Sequence, residues 1–136
     1  MAAAAAQWKP LKALLADSDI VSLHVPLTSE TQGLIDADAL SGMKQGAILV
    51  NTARGGLVDE AALISALVSG RLATAGLDVF ATKPLPAQNL LGGMSNVVLS
   101  PHVAWLTRET WRRSVSIAVE NCQRLAAGRD LLHRVA

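Results

Sequence analysis

Four short apolar runs, at 19–25, 47–53, 75–80 and 96–99, carry Ile-Val, Ile-Leu-Val, Leu-Asp-Val and Val-Val-Leu cores with little polar alternation. A strand with one wet face alternates; runs without alternation are expected where helices cover both faces of a parallel sheet. Helical patterns fill the intervals. Residues 10–16 hold leucines at 11, 14 and 15. Asp36 is placed to cap a short helix with Ala39, Leu40 and Met43 on one side. Asp59 is placed to cap a better one with Leu63, Ala66 and Leu67 inward, terminated by Gly70. A last helix starts at Thr107, and Trp111, Val115, Ala118, Val119, Cys122, Leu125 and Ala126 form one stripe ending near Gly128. Cys122 on that stripe is expected to be a packed core thiol. Residues 81–95, with Pro84, Pro86, Gly92 and Gly93, read as an irregular loop, and the Ala-rich segment 1–10 is expected to fray. This order predicts an α/β fold whose parallel strands are joined by right-handed crossovers.

Composition narrows the class. The 136 residues suffice for one domain, and 51% apolar content supports a core. A net charge of +1 gives no basic field for nucleic acid. One cysteine excludes an internal disulfide, and no run approaches the roughly 18–20 apolar residues that cross a bilayer. A soluble cytoplasmic domain with no membrane partner is expected. The mean hydropathy of +0.34 is high for so small a domain. Either the alanines raise it, or one face of the fold is hidden against something else.

Open α/β sheets bind ligands beyond the carboxyl ends of their strands. There the second run gives Asn51-Thr52-Ala53-Arg54-Gly55-Gly56, an arginine suited to a planar carboxylate beside glycines that would let a ligand approach the backbone. A surface arginine in a glycine turn would look the same. The third ends Gly76-Leu77-Asp78-Val79-Phe80, and an aspartate inside an apolar strand needs a partner unless it caps a nearby turn. The fourth ends Ser100-Pro101-His102-Val103-Ala104, where His102 could be a general acid or simply an exposed histidine. His24 also closes a strand, while His133 has no such setting.

Taken in order, these segments resemble the D-isomer-specific 2-hydroxyacid dehydrogenases, in the C-terminal half of their nucleotide-binding domain. The matching pieces are 18–28, Thr31-Gln32-Gly33-Leu34-Ile35, the Asn51–Leu63 stretch, Gly76–Phe80, Pro84-Leu85-Pro86 and Ser100–Ala104. From about residue 11 onward the chain reads as a partial NAD(P)-binding domain, half of a doubly wound Rossmann-type sheet. The resemblance implies NAD or NADP as cofactor and a small 2-keto or 2-hydroxy acid, of glyoxylate or hydroxypyruvate type, as substrate. It implies that Arg54 grips the substrate carboxylate and that His102 exchanges a proton with the 2-keto oxygen. Asp78 would orient the nicotinamide carboxamide, while Val25, Pro26 and Thr31 form the loop on the adenosine and phosphate side. Thr52 and Ala53 would line the nicotinamide pocket, with Arg54, His102 and Ala104 also at the cofactor.

Two departures stand against that pattern. The dinucleotide pyrophosphate normally rests on a Gly-x-Gly-x-x-Gly turn opening a helix, and this sequence has no Gly-x-Gly. The N-terminal half of the nucleotide domain and most of the substrate domain are therefore expected to be missing. The first strand would then expose an edge for a homodimer or a complementary half. The second departure is Ala81-Thr82-Lys83-Pro84, which puts Lys83 where the family has the glutamate that pairs with the histidine. A cation there disfavours the imidazolium that the glutamate would support; alternatively Lys83 is a solvated loop residue. The sequence thus predicts part of an oxidoreductase, inactive alone. The alternatives are a non-catalytic remnant or binding module that pairs through its sheet edge, and a partial reading frame whose other half lies upstream.

Overall fold

In the computed structural model, which describes residues 6–134, each apolar run is a strand. Helix α1 (Leu11–Asp17) precedes β1 (Ile20–Leu23), and α2 (Ala37–Gly42) leads to β2 (Ala47–Asn51). Helix α3 (Glu60–Val68) leads to β3 (Leu72–Leu77), an irregular loop with a 3-10 turn at Leu90–Gly93 leads to β4 (Val97–Leu99), and α4 (Arg108–Ala126) follows. The sheet is parallel throughout, in the order β1-β2-β3-β4. The caps act as the sequence predicts. Asp36 accepts from Ala39 N at 2.8 Å, Asp59 from Ala62 N at 3.0 Å, and Thr107 from Thr110 N at 3.1 Å. Gly70, at φ +71°, takes the left-handed conformation that ends α3.

Residues up to His102 form one unit and those from Val103 a second. In the first, α1 packs on α2 and α2 on α3, with α3 against β3. The rows that register in the sheet, Val21-Leu49-Ala75 and Leu23-Asn51-Leu77, are buried. Their apolar members join Leu15, Ile35, Leu40, Leu57, Leu63 and Leu72 in one core. The alternate positions are less covered: Ile48, Val50, Thr74 and Gly76 are half-buried, while Ile20 is 62% and Val98 67% exposed. This corrects the expectation of strands buried on both faces. The neighbouring helices α1, α2 and α3 supply one apolar layer.

Two further corrections concern boundaries and packing. The third strand spans Leu72–Leu77, not 75–80, so Asp78 sits just past the strand rather than within it. Pairing with β2 decides this, because Ala47 registers with Leu72 and Ile48 with Thr74 across an irregularity. In the second unit α4 has no buried residue, and Cys122 on its apolar stripe is exposed rather than packed. A stripe records which side of a helix wants cover, not whether this chain supplies it. Of segment 1–10, residues 1–5 lie outside the described residues; residues 6–10 form no helix or strand. Lys9 there donates to Asp17 at 2.6 Å and holds that carboxyl below its ordinary range, an exposed pair of small energetic weight.

Candidate active site at the strand exits

Four chain segments leave the same edge of the sheet, and backbone bonds tie them together. After β1, Thr31 Oγ1 donates to Pro26 O at 2.7 Å and accepts from Thr28 N at 2.8 Å, which closes the turn that follows Val25. That turn is joined to the next exit by Gly33 N to Gly56 O and Ile35 N to Leu57 O, both 2.9 Å. After β2, Asn51 is 1% exposed and spends its side chain on the loop. Its Nδ2 donates to Arg54 O at 2.9 Å, and its Oδ1 accepts from Ala53 N at 3.1 Å. Thr52 and Ala53 are half-buried and Arg54 is exposed. Asp78 N donates to Asn51 O at 3.0 Å, which locks the β3 exit to the β2 exit, and Ser100 N donates to Leu77 O at 2.9 Å, which locks β4 to β3.

The functional side chains follow from this lacing. Arg54 comes off β2 and His102 off β4, with Asp78 between them off β3. Asp78 is 3% exposed, and its carboxylate accepts a hydrogen bond from Ser100 Oγ, which supplies the partner a buried carboxylate requires. His102 has φ +61°, a left-handed backbone at the end of the exit. Lys83 is exposed, and its Nζ lies 2.9 Å from His102 Nδ1. A cavity of about 270 Å³ is lined by Asp78, Phe80, Lys83, Pro84, Leu85, Pro101 and His102. Ala104 belongs to the second unit. His24 accepts or donates at 2.8 Å with Ser22 on β1, and His133 lies in the second unit.

Sequence reasoning missed three residues. Asn51 and Ser100 brace Arg54 and Asp78; the signal was a polar residue with full hydrogen-bonding capacity closing an apolar run. Gly55 was read as clearance for a ligand, but the space at its α-carbon is filled by backbone. A Cβ there would lie 2.0 Å from Phe80 C, and one on Gly56 would meet Leu27 Cδ2 at 3.0 Å. These glycines let the exits of β2 and β3, and the Leu27 side chain, pack closely.

The exits hold a cavity with apolar walls, a buried carboxylate, an imidazole and an ammonium, into which the nicotinamide end of a dinucleotide would have to fit. The pyrophosphate end is different. Among the described residues no strand runs through a Gly-x-Gly turn into a helix, and the β1 exit passes instead through the Thr28–Thr31 turn. No cluster of three metal-ligating side chains occurs among the described residues, and no helix there is long and apolar enough to cross a membrane.

A parallel sheet with its polar side chains gathered at the carboxyl edge defines a ligand-binding α/β domain. Comparison with known proteins narrows this. The family described as D-isomer specific 2-hydroxyacid dehydrogenase, NAD binding domain, matches residues 1–104, and the chain belongs to that family. It is 48% identical over 124 residues to a glyoxylate reductase of Aeropyrum pernix, covering 91% of this chain and 37% of that protein. It is 45% identical over 121 residues to a glycerate dehydrogenase of Methylorubrum extorquens, covering 88% and 38%. It superposes with a TM-score of 0.76 on a D-isomer specific 2-hydroxyacid dehydrogenase of Xanthobacter autotrophicus solved with NADPH, at 45% identity, over 93% of this chain and 51% of that one. The chain thus spans little more than a third of the length of these curated relatives.

Proposed function

We propose that the chain is the nicotinamide-side part of an NAD- or NADP-dependent reductase of small 2-keto acids, of glyoxylate or hydroxypyruvate type. The observation that carries this is the row Arg54, Asp78, His102 at consecutive exits of one sheet edge. The similarity to a glyoxylate reductase and a glycerate dehydrogenase supports the substrate class. The nicotinamide cofactor, when bound, supplies a hydride to the substrate carbonyl carbon. Arg54, on a loop that buried Asn51 holds rigid, binds the substrate carboxylate and draws charge toward the keto group. His102 gives the proton that the carbonyl oxygen needs and takes it back in the reverse direction. Asp78, fixed by Ser100, orients the carboxamide of the nicotinamide. Thr52 and Ala53 would wall the ring, and Val25, Pro26 and Thr31 would form the loop toward the adenosine side.

On this reading the chain by itself holds the dinucleotide weakly, because the pyrophosphate cradle contributes much of the anchoring. Calorimetric titration with NADH should give no saturation in the low-micromolar range. Fusion behind the N-terminal half of one of these relatives should give NAD(P)H oxidation with glyoxylate or hydroxypyruvate. Low-micromolar binding by the chain alone, or a folded fusion without turnover, would overturn the proposal.

The second reading, a binding module that pairs through its sheet, is favoured by the exposed residues Ile20 and Val98 and by the edge of β1, which no strand pairs among the described residues. Both readings place the protein in the cytoplasm, paired as a homodimer or with a complementary half. Light scattering should therefore show association as concentration rises. A monomer at high concentration would count against an apolar surface that recruits a partner.

A further inference from the structure

Lys83 Nζ lies 2.9 Å from His102 Nδ1, and both side chains are exposed at the cavity beyond β3 and β4. An ammonium has only protons to give, so in this contact Lys83 donates and Nδ1 accepts. The ring's own proton then resides on Nε2, and the ring is neutral, since an imidazolium would set N–H against N–H. A neutral imidazole is a feeble acid, whereas an ammonium is a far stronger acid than the alcohol that keto reduction forms. We infer that Lys83 and His102 form a proton relay that serves 2-keto acid reduction in preference to 2-hydroxy acid oxidation. This rests on the reading above that His102 meets the substrate carbonyl.

The relay balances. During reduction, for which a bound nicotinamide cofactor would supply the hydride, His102 would give its Nε2 proton to the carbonyl oxygen while Nδ1 takes one from Lys83. The substrate becomes an alcohol, the ring remains neutral in its other tautomer, and Lys83 is left as the amine. A solvent proton then enters at Nε2 while Nδ1 returns its proton to Lys83, which restores the starting pair. Oxidation would need the amine and the Nδ1–H ring at the outset. With Lys83 as the ammonium donor to Nδ1, the pair is set for reduction. Lys83 acts here as a positioning residue that selects the tautomer of His102 and reloads it.

Two variants separate supplying a proton from merely holding the ring. Lys83→Arg keeps a cationic donor that does not give up its proton, and Lys83→Met removes the donor. Nitrogen-15 NMR of the 136-residue chain should show His102 with Nε2 protonated and Nδ1 accepting. Lys83→Arg should preserve that signature, and Lys83→Met should shift the Nδ1 resonance. In the fusion, both variants should lose about 10²-fold in the reduction rate, within the span typical of general acid catalysis. A wild-type ring protonated on Nδ1, or a Nδ1 resonance indifferent to Lys83→Met, overturns the relay whatever the fusion does. A Lys83→Arg fusion reducing as fast as wild type overturns the relay and leaves the proposed function standing. A wild-type fusion that folds without turnover overturns both.

Discussion

Gly55→Ala is expected to destabilise the chain by about 3 kcal/mol or more, with a fall in melting temperature of roughly 10 °C. The added methyl would sit 2.0 Å from the carbonyl carbon of Phe80, 2.1 Å from its oxygen and 2.5 Å from the nitrogen of Ala81. Carbon atoms in contact prefer about 3.5–4.0 Å, and backbone atoms offer no rotamer by which to retreat. Relief requires separating the β2 exit from the β3 exit, against the bond from Asp78 N to Asn51 O. Arg54, next in the chain, would move with them. Gly56→Ala is the control: its methyl meets only the tip of Leu27, 3.0 Å away, and a side chain can turn aside. Its cost should stay near 1 kcal/mol. Thermal unfolding followed by circular dichroism tests the pair, and equal melting of Gly55→Ala and wild type would refute the close approach.

In the fusion with a relative's N-terminal half, His102→Asn is expected to lower the rate of glyoxylate or hydroxypyruvate reduction by about 10²–10⁴. Asparagine suits this test because the backbone at 102 has φ +61°, a region that asparagine tolerates far better than most residues. The imidazole is removed while the turn after β4 keeps its shape. The melting temperature should therefore stay close to that of wild type. A β-branched replacement such as His102→Val would mix lost chemistry with backbone strain. Retention of more than a tenth of the wild-type rate by His102→Asn would show that another group protonates the product oxygen.

Local chemistry was the legible part of this fold. Asp36, Asp59 and Thr107 announce their helices because a cap needs one side chain and one amide a few residues away. Gly70 announces the end of α3 for a similarly local reason. The placement of Arg54, Asp78 and His102 at one edge was legible too, since it follows from strand order and parallel direction. What the sequence did not disclose depends on partners distant along the chain. The start of β3 at Leu72 is set by its pairing with Ala47. The apolar residues Ile20 and Val98 look like core in a string of letters and are exposed. The use made of Gly55 depends on Phe80, 25 positions further on. At the site, Lys83 was readable as a reversal of charge, but its 2.9 Å approach to the ring nitrogen required the loop to be built.

The order β1-β2-β3-β4 has a consequence for how the chain comes to be folded. Among the described residues, each strand after the first lies beside the one made just before it. Contacts formed between segments close in sequence carry a smaller loop-closure cost and form faster than distant ones. Among the described strands, β2 can therefore pair with β1, β3 with β2 and β4 with β3 in the order in which they are made, with α1 and α2 able to meet early. Asn51 and Asp78 are joined as soon as the third strand arrives, and His102 is placed last. The acid of the proposed reaction is thus the final piece of the first unit to be set, on a frame completed before it.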